Sequence, residues 1–440
     1  MNHLAFGAAL AVLIACGPAA AARADVTRAQ LANGLTLLIE ERTSAPSVGV
    51  AVAYGVGKRD DPPELAGLAH LTEHAMANCQ GHLQEGAHAR LERLGVSPTA
   101  FTTVDATVFQ STLPGELLET VLWIEAQRMA FTLALLDEAA FERTKAVVTR
   151  EWERRELQRD AIETLMLRAL YPESHPYHNL VETEDSLSTI ELDDVQGAFQ
   201  RNYGPDNAVL AVVGNVDRAR VRDAVQRYFG EIRASANARV AWRTPAPAAL
   251  PLRRTQTRTD YPGLQDLRFE TLLVSWPTPA LGEDGDADLD ILSSMLAERL
   301  RERFMREGSV FSTEVRQQSR ALASHFSVTL RVEPGHARSD VLQVLDSELR
   351  ALTSPSADFV RAQRRFVQAE VVECEDLGVR AGRLAESVSL GKPPLEAARY
   401  RASSAQSVAR SAAQYLAGKP HLIIERPMSR FQSTPVGVRQ

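Results

Sequence analysis

The chain echoes its own layout at a nearly constant offset of 218 to 220 positions. Leu113-Pro114-Gly115 ahead of a helical stretch returns as Glu333-Pro334-Gly335 ahead of another, and Phe141-Glu142-Arg143 returns as Phe359-Val360-Arg361. Between the copies, from Ala234 to Gly263, apolar periodicity lapses while Pro245, Pro247, Pro251 and Pro262 accumulate, the composition of a connection rather than of a core. The 440 residues, 45% hydrophobic, hold material for two cores, since single cores rarely grow past about 250 residues. An internal duplication therefore predicts an α+β protein of two similar domains, each a mainly antiparallel sheet packed against helices, facing each other. The expected domains cover 25–233 and 264–435, with a linker over 234–263.

Residues 1–24 obey a different rule. Leu4 to Cys16 is an apolar run too short to span a bilayer, and it leads into the small-residue stretch Gly17 to Ala24. That pattern reads as a secretory signal. Leu13-Ile14-Ala15-Cys16 also has the form of a bacterial lipobox, in which Cys16 would carry lipid. The expected location is periplasmic or extracellular, with membrane contact only through such a lipid. Cys79 and Cys374 are then too few to staple a fold of this size and are expected to be free buried thiols. The formal net charge is -7 with both signs interspersed, which argues against nucleic acid as a partner, because that partner requires a basic stripe.

Along the first half, Asn33-Gly34 marks a tight turn before the run Leu35 to Ile39, and a second run follows from Val48 to Val56; both read as strands. Leu68 to Asn78 reads as helix, Thr99 to Leu113 as strand, and Asp137 to Ala169 as a long helical stretch with Val147 and Val148 facing inward. Val209 to Val213 is an expected strand and Arg218 to Phe229 a helix. The second half offers strands at Phe269 to Trp276 and His325 to Val332 around a helix from Asp288 to Met305.

His70-Leu71-Thr72-Glu73-His74 falls inside the first of these helices. At about 3.6 residues per turn, His70 and His74 share one face and can reach a single cation. Glu73 projects near that face and can hold a water without being a ligand. The order is that of an inverted zincin motif. A catalytic zinc takes three protein ligands and an open position. The third can come from Glu151, one turn beyond Val147 and Val148, from His82 or His88 just past the motif, or from His175 in the Pro- and His-bearing loop Tyr171 to Asn179. Spacing alone leaves the four open.

Together with Val147-Val148 before Glu151 and Trp152 after it, the motif resembles the pitrilysin/insulinase family of zinc peptidases, which includes the mitochondrial processing peptidase. The resemblance extends through Asn33-Gly34-Leu35, Gly67-Leu68-Ala69, Thr99-Ala100-Phe101-Thr102 with Asp105 and Thr107, His175-Pro176-Tyr177, Tyr203-Gly204-Pro205, Asn207 and Val213-Gly214-Asn215-Val216-Asp217. It implies one Zn²⁺ per chain held by His70, His74 and Glu151, with Glu73 as the base that activates water. It also implies that Thr99, Ala100 and Phe101 lie on a strand pairing with an extended peptide substrate, Thr99 standing where Asn is usual. Phe101 and Phe109 read equally well as core packing.

Two departures qualify what the resemblance implies. A Glu that family members often carry seven positions before the ligand Glu is Thr144 here. The Arg and Tyr that reach across the cleft in active members are replaced by Met305 and Ser312, with Arg306 and Phe311 as the nearest substitutes. Some relatives divide these sets between two chains, so the expected partner is a second copy or a related chain that supplies Arg and Tyr. The sequence thus predicts a zinc metalloendopeptidase whose cleft a second chain completes. The alternative is a non-catalytic or weakly active zinc-bearing subunit that binds peptides or supports assembly of a heteromeric peptidase.

Overall fold

The computed structural model describes residues 26–78, 85–131, 135–156, 161–235, 253–257, 269–394 and 397–427. The signal segment 1–24 with Cys16, the residues Cys79 and His82, and the four prolines of the linker lie outside the described residues. Among the described residues no helix is long and apolar enough to cross a membrane.

In the first half the elements are β1 (Val26–Gln30), β2 (Thr36–Glu41), β3 (Val48–Tyr54), α1 (Leu68–Asn78), α2 (Ala87–Arg93), β4 (Ser97–Thr102), β5 (Thr107–Leu113), α3 (Leu118–Phe131), α4 (Glu138–Glu156), α5 (Ala161–Leu170), α6 (Glu184–Thr189), α7 (Leu192–Asn202), β6 (Ala208–Gly214) and α8 (Arg218–Phe229). The sheet order is β1-β2-β6-β3-β5-β4, antiparallel except where β2 runs parallel to β6. The central strands are apolar at nearly every position because both faces are covered. Leu37, Ile39, Val50, Val52, Leu210 and Val212 enter a core shared with α1 and α3. Their alternates Leu38, Ala51, Ala53, Val209, Ala211 and Val213 face the other way.

The second half continues with β7 (Arg253–Thr257), β8 (Glu270–Thr278), α9 (Asp286–Glu307), β9 (Val310–Gln318), β10 (Ser324–Val332), α10 (Arg338–Ala351), α11 (Asp358–Glu373), α12 (Leu377–Ser389), α13 (Ala398–Ala402), α14 (Ala405–Ser411) and β11 (His421–Arg426). Its sheet order is β7-β11-β8-β10-β9, again with one parallel pair, β7 with β11. Strand for strand this is β2-β6-β3-β5-β4 of the first sheet, so the sequence echo corresponds to a repeated topology.

What covers the second face of each sheet comes from the other half. Leu377, Ala381, Leu384 and Ala385 of α12 pack on the first sheet. Ile162, Met166, Leu167 and Leu170 of α5 pack on Leu273, Leu422 and Ile424 of the second. Fully burying one leucine contributes about 1.5–3 kcal/mol, so each exchanged helix is a large share of what joins the halves. The contact is close enough to demand glycine. A Cβ on Gly49 in β3 would fall 1.8 Å from the Leu377 carbonyl oxygen, and one on Gly382 in α12 would fall 1.9 Å from the Gln110 side chain. Asp376 caps α12 by accepting from the Gly378 and Val379 amides, and Arg380 donates to the buried Glu40 of β2 at 2.9 Å.

A buried polar junction ties the halves a second time. Asp105, in the turn between β4 and β5, accepts from Arg59 (2.6 Å), from the Tyr177 hydroxyl (2.6 Å) and from the Ala321 amide of the second half (2.9 Å). The Leu322 amide donates to the Tyr177 oxygen at 2.9 Å.

Several sequence expectations change in detail. The single strand over 99–113 is two strands, because Thr103 Oγ1 accepts from the Asp105 and Ala106 amides and closes a turn. The helical stretch 137–169 is α4 and α5, which cover different sheets. Val148 is buried as expected, but Val147 is 42% exposed, since the neighbouring helix position points about 100° away. The linker stretch 234–263 contains β7, which joins the second sheet.

Gly49→Ala is expected to displace α12 and lower stability by about 1–3 kcal/mol, read in a urea unfolding curve. Asp105→Ala, which leaves Arg59 buried without its anion, is expected to cost about 3 kcal/mol or more in the same measurement.

Candidate functional site

Helix α1 begins where the chain leaves the first sheet, and its start is held by a distant carboxylate. Asp61 accepts from the Gly67 and Ala69 amides, each at 2.9 Å, satisfying donors that open a helix. Burial pushes the Asp61 carboxyl up to about 8, the two amides opposing the shift and the nearby Asp60 and Glu182 adding to it. Gly67 takes the positive φ of +105° that this entry turn requires. The helix is buried over most of its length, between the sheet, α4 and α7.

His70 and His74 project one turn apart, with ring centroids 4.9 Å apart and planes nearly perpendicular. Opposite them α4 brings Glu151, one turn past the buried Val148. Glu151 Oε2 lies 3.7 Å from His70 Nε2 and 3.2 Å from His74 Nε2. One ligand atom from each of the three residues lies within 4.8 Å of the others, and among the described residues no other trio of His, Cys, Asp or Glu meets that condition. Two imidazoles and a carboxylate converging in this way fit the donor set of a catalytic zinc, with a fourth position left for a reactant.

Glu73 sits between the histidines, buried, and accepts from Thr102 Oγ1 at 3.0 Å. Thr102 ends β4, which is the last strand of its sheet, so the carboxylate is tied to the sheet edge. Along β4 the side chains alternate. Ala100 packs toward the core that includes α1, and Phe101 packs on the opposite face toward α12. Thr99 pairs with Gln110 across the strands.

On the far side of His70 stands Glu182. Its Oε2 is 3.5 Å from His70 Nδ1, and its Oε1 accepts from Lys58 Nζ at 2.6 Å. Burial alone would raise the Glu182 carboxyl, but the His70 imidazole and the Lys58 ammonium outweigh it and hold the group well below the usual carboxylate range. The Glu182 carbonyl also accepts from Trp152 Nε1 at 3.0 Å.

The other candidates lie elsewhere. His175 is buried against Tyr171, and its Nδ1 accepts from the Tyr177 amide at 3.0 Å, a structural role in the loop after α5. His88 is in α2, outside the trio, and burial, with Arg128 and His74 adding, lowers its pKa to about 4. Thr144 donates to the Ala140 carbonyl of its own helix at 2.9 Å. Arg306 is at the exposed end of α9 and donates to the Glu302 carbonyl at 3.2 Å. Met305 is 76% exposed, and Phe311 stacks on Phe269 with ring centroids 4.4 Å apart. Lys58 and Glu182, and the bond from Thr102 to Glu73, escaped sequence reasoning. Thr102 adjoined the strand residues singled out for pairing, but no spacing rule connects Lys58 or Glu182 with His70.

The sequence profile of the insulinase family (peptidase family M16) matches residues 36–183, and that of the peptidase M16 inactive domain matches residues 189–366. An uncharacterized zinc protease of Bacillus subtilis, YmxG, is 27% identical over 210 residues, 47% of this chain and 50% of that protein. The beta subunit of the mitochondrial-processing peptidase of Saccharomyces cerevisiae is 27% identical over 205 residues, 46% of this chain and 44% of that one. The matched region thus spans about half the length of these curated relatives. The crystal structure of a protease from Helicobacter pylori superposes with a TM-score of 0.79 at 18% identity, over 92% of this chain and 99% of that one, a likeness of fold. With both family profiles following one another along the chain, and with the inverted His-x-x-Glu-His helix and the doubled sheet topology in place, the chain belongs to the insulinase family, peptidase family M16.

Proposed function

We propose that this chain is a zinc metalloendopeptidase acting on extended peptides. The observation that carries the reading is the convergence of His70 Nε2 and His74 Nε2 on Glu151 Oε2, with the buried Glu73 between them and bonded to the sheet edge. One Zn²⁺ per chain, held by His70, His74 and Glu151, would acidify a water and polarise the scissile carbonyl. Glu73 receives the proton of the attacking water and delivers it to the departing amine. Thr102 donates to Glu73 Oε2 and so orients the carboxylate that takes that proton.

The sheet edge supplies the substrate's place. Strand β4 pairs with β5 on one side, and no described strand pairs with its other side. An extended peptide can add there as a further strand, held by main-chain hydrogen bonds that are nearly blind to side chains. Because Phe101 packs toward α12 and Ala100 toward α1, these two side chains contribute less to recognition than the backbone between Thr99 and Thr102. The same reading has the mature chain outside the cytoplasm, following export on segment 1–24, and two domains over 25–233 and 264–435.

The second reading, a zinc-bearing subunit with little activity of its own, is favoured by the far domain. Met305 and Ser312 stand where the resemblance calls for Arg and Tyr, Arg306 lies at the exposed end of α9, and Phe311 has no hydroxyl. Charge developing on the carbonyl oxygen would then need a donor from a second chain. The name of the yeast relative, a processing-peptidase subunit, is consistent with such a division.

Metal analysis and peptide cleavage on the same preparations test the proposal. Wild-type protein is expected to hold one zinc, and the triple replacement of His70, His74 and Glu151 by Ala to hold none; full occupancy in the triple variant overturns the ligand assignment. Glu73→Gln is expected to keep zinc and lose turnover, with the deficit in kcat, because the amide keeps the shape but takes no proton. The lone chain is expected to cleave poorly, and a partner offering Arg and Tyr to raise the rate by about 100-fold, the scale of one oxyanion contact. Hydrolysis by the lone chain at a rate no partner changes would overturn the division of labour.

A further inference from the structure

His70 is the most enclosed of the three converging residues, and an imidazole buried in this way binds a cation well only if its other nitrogen is held. In metal sites the second ring nitrogen faces a carboxylate, carbonyl or water that selects the tautomer and fixes the ring plane. The family resemblance leads one to look for such a carboxylate on α4, seven residues before Glu151, but that position is Thr144, whose hydroxyl donates to Ala140.

A different carboxylate occupies the place. Glu182 comes from the segment between the His175 loop and α6, and hydrogen bonds from Lys58 and Trp152 fix it. Lys58 Nζ holds Oε1 at 2.6 Å, which leaves Oε2 directed at His70 Nδ1. The Glu182 carbonyl accepts from Trp152 Nε1, the residue directly after Glu151. Downstream, the Ser186 hydroxyl donates to the Ala66 carbonyl at 2.8 Å, anchoring the segment to the entry of α1. At that entry Gly67 leaves room for it, since a Cβ there would meet Glu182 Cγ at 3.2 Å. One residue therefore places its carboxylate 3.5 Å from His70 Nδ1, a buried nitrogen with no hydrogen-bond partner among the described residues, and accepts from the neighbour of Glu151 through its backbone.

We propose that Glu182, pinned by Lys58, is the positioning carboxylate that turns His70 Nε2 toward the metal and sets its place relative to Glu151. The assignment rests on the zinc reading above and adds to it a residue pair, Lys58 and Glu182, that no spacing in the motif contains. Lys58 acts one step further out, as an electrostatic clamp that keeps Glu182 from rotating toward solvent.

The test is zinc affinity of the full chain, measured by competition with a chelator, for wild type, Glu182→Gln, Lys58→Met and His70→Ala. Cobalt substitution supplies a second readout through the visible ligand-field bands, and thermal melting of the metal-free proteins reports the fold. Glu182→Gln is expected to weaken zinc binding by about 10- to 100-fold and to shift the cobalt bands while the metal-free protein melts as wild type, because the backbone contact with Trp152 remains. Lys58→Met, at a partly exposed position, is expected to give a smaller loss in the same direction. Wild-type zinc affinity and an unchanged cobalt spectrum in both variants would overturn the proposal and leave Glu182 a structural residue. Zinc binding that survives His70→Ala undiminished would instead bring down the metal reading itself, and the role of Glu182 with it.

Discussion

Neither half of this chain closes its own sheet. The strands β2, β3 and β6 are apolar on both faces, and a sheet of that kind left half covered would expose a patch incompatible with a lone soluble domain. The remedy is an exchange in which α12 crosses to the first sheet and α5 to the second, with the approach of α12 to β3 so tight that Gly49 meets the Leu377 carbonyl. The consequence is a single cooperative body built from two copies of one topology. At Gly49 the contact is backbone against backbone.

That constraint reaches the candidate site along the strand edge. Lys58 and Arg59 are adjacent in a short turn whose amides donate to the Thr103 and Val104 carbonyls beyond β4. Lys58 extends to Glu182 and so toward His70, while Arg59 extends to Asp105 and so toward the Ala321 amide of the other half. The strand that carries Thr102, and through it the orientation of Glu73, is therefore anchored at one end by the junction between halves. A group proposed to move protons is held through a buried polar junction, where loss of one hydrogen-bond partner is costly.

Much of this was legible from residue spacing, and the limits have physical causes. The span Leu68–Asn78 reads as a helix and is α1, and His70 and His74 share its face because helix geometry is local. Glu151 could be proposed from the periodicity around Val148, but periodicity locates the centre of a buried stripe only to within a residue, so Val147 was misjudged. The offset between the copies carried over into strand order, since both depend on the same local patterns in sequence. What spacing could not show is what lies across a gap. A helix pattern says which face of α5 or α12 is apolar, not which sheet it covers, and Lys58 meets Glu182 across 124 positions with no periodic relation to connect them.

The departures from the family pattern acquire a physical sense when the two sides of His70 are considered together. A carboxylate on α4 at position 144 would sit on the same helix as Glu151, so the two charges would move as one rigid element. Placed at 182, the charge instead arrives from a separate segment that is paired to Lys58 and tied to the start of α1 by Ser186 and Ala66. A buried carboxylate is tolerable only with a cation at hand, and Lys58 supplies it to Glu182 at 2.6 Å. The arrangement keeps a carboxylate near His70, its charge balanced by Lys58, while Thr144 is a neutral helix residue. It also makes the alignment of His70 depend on the loop between α5 and α6, and hence on Tyr177 and Asp105, which join that loop to the second half.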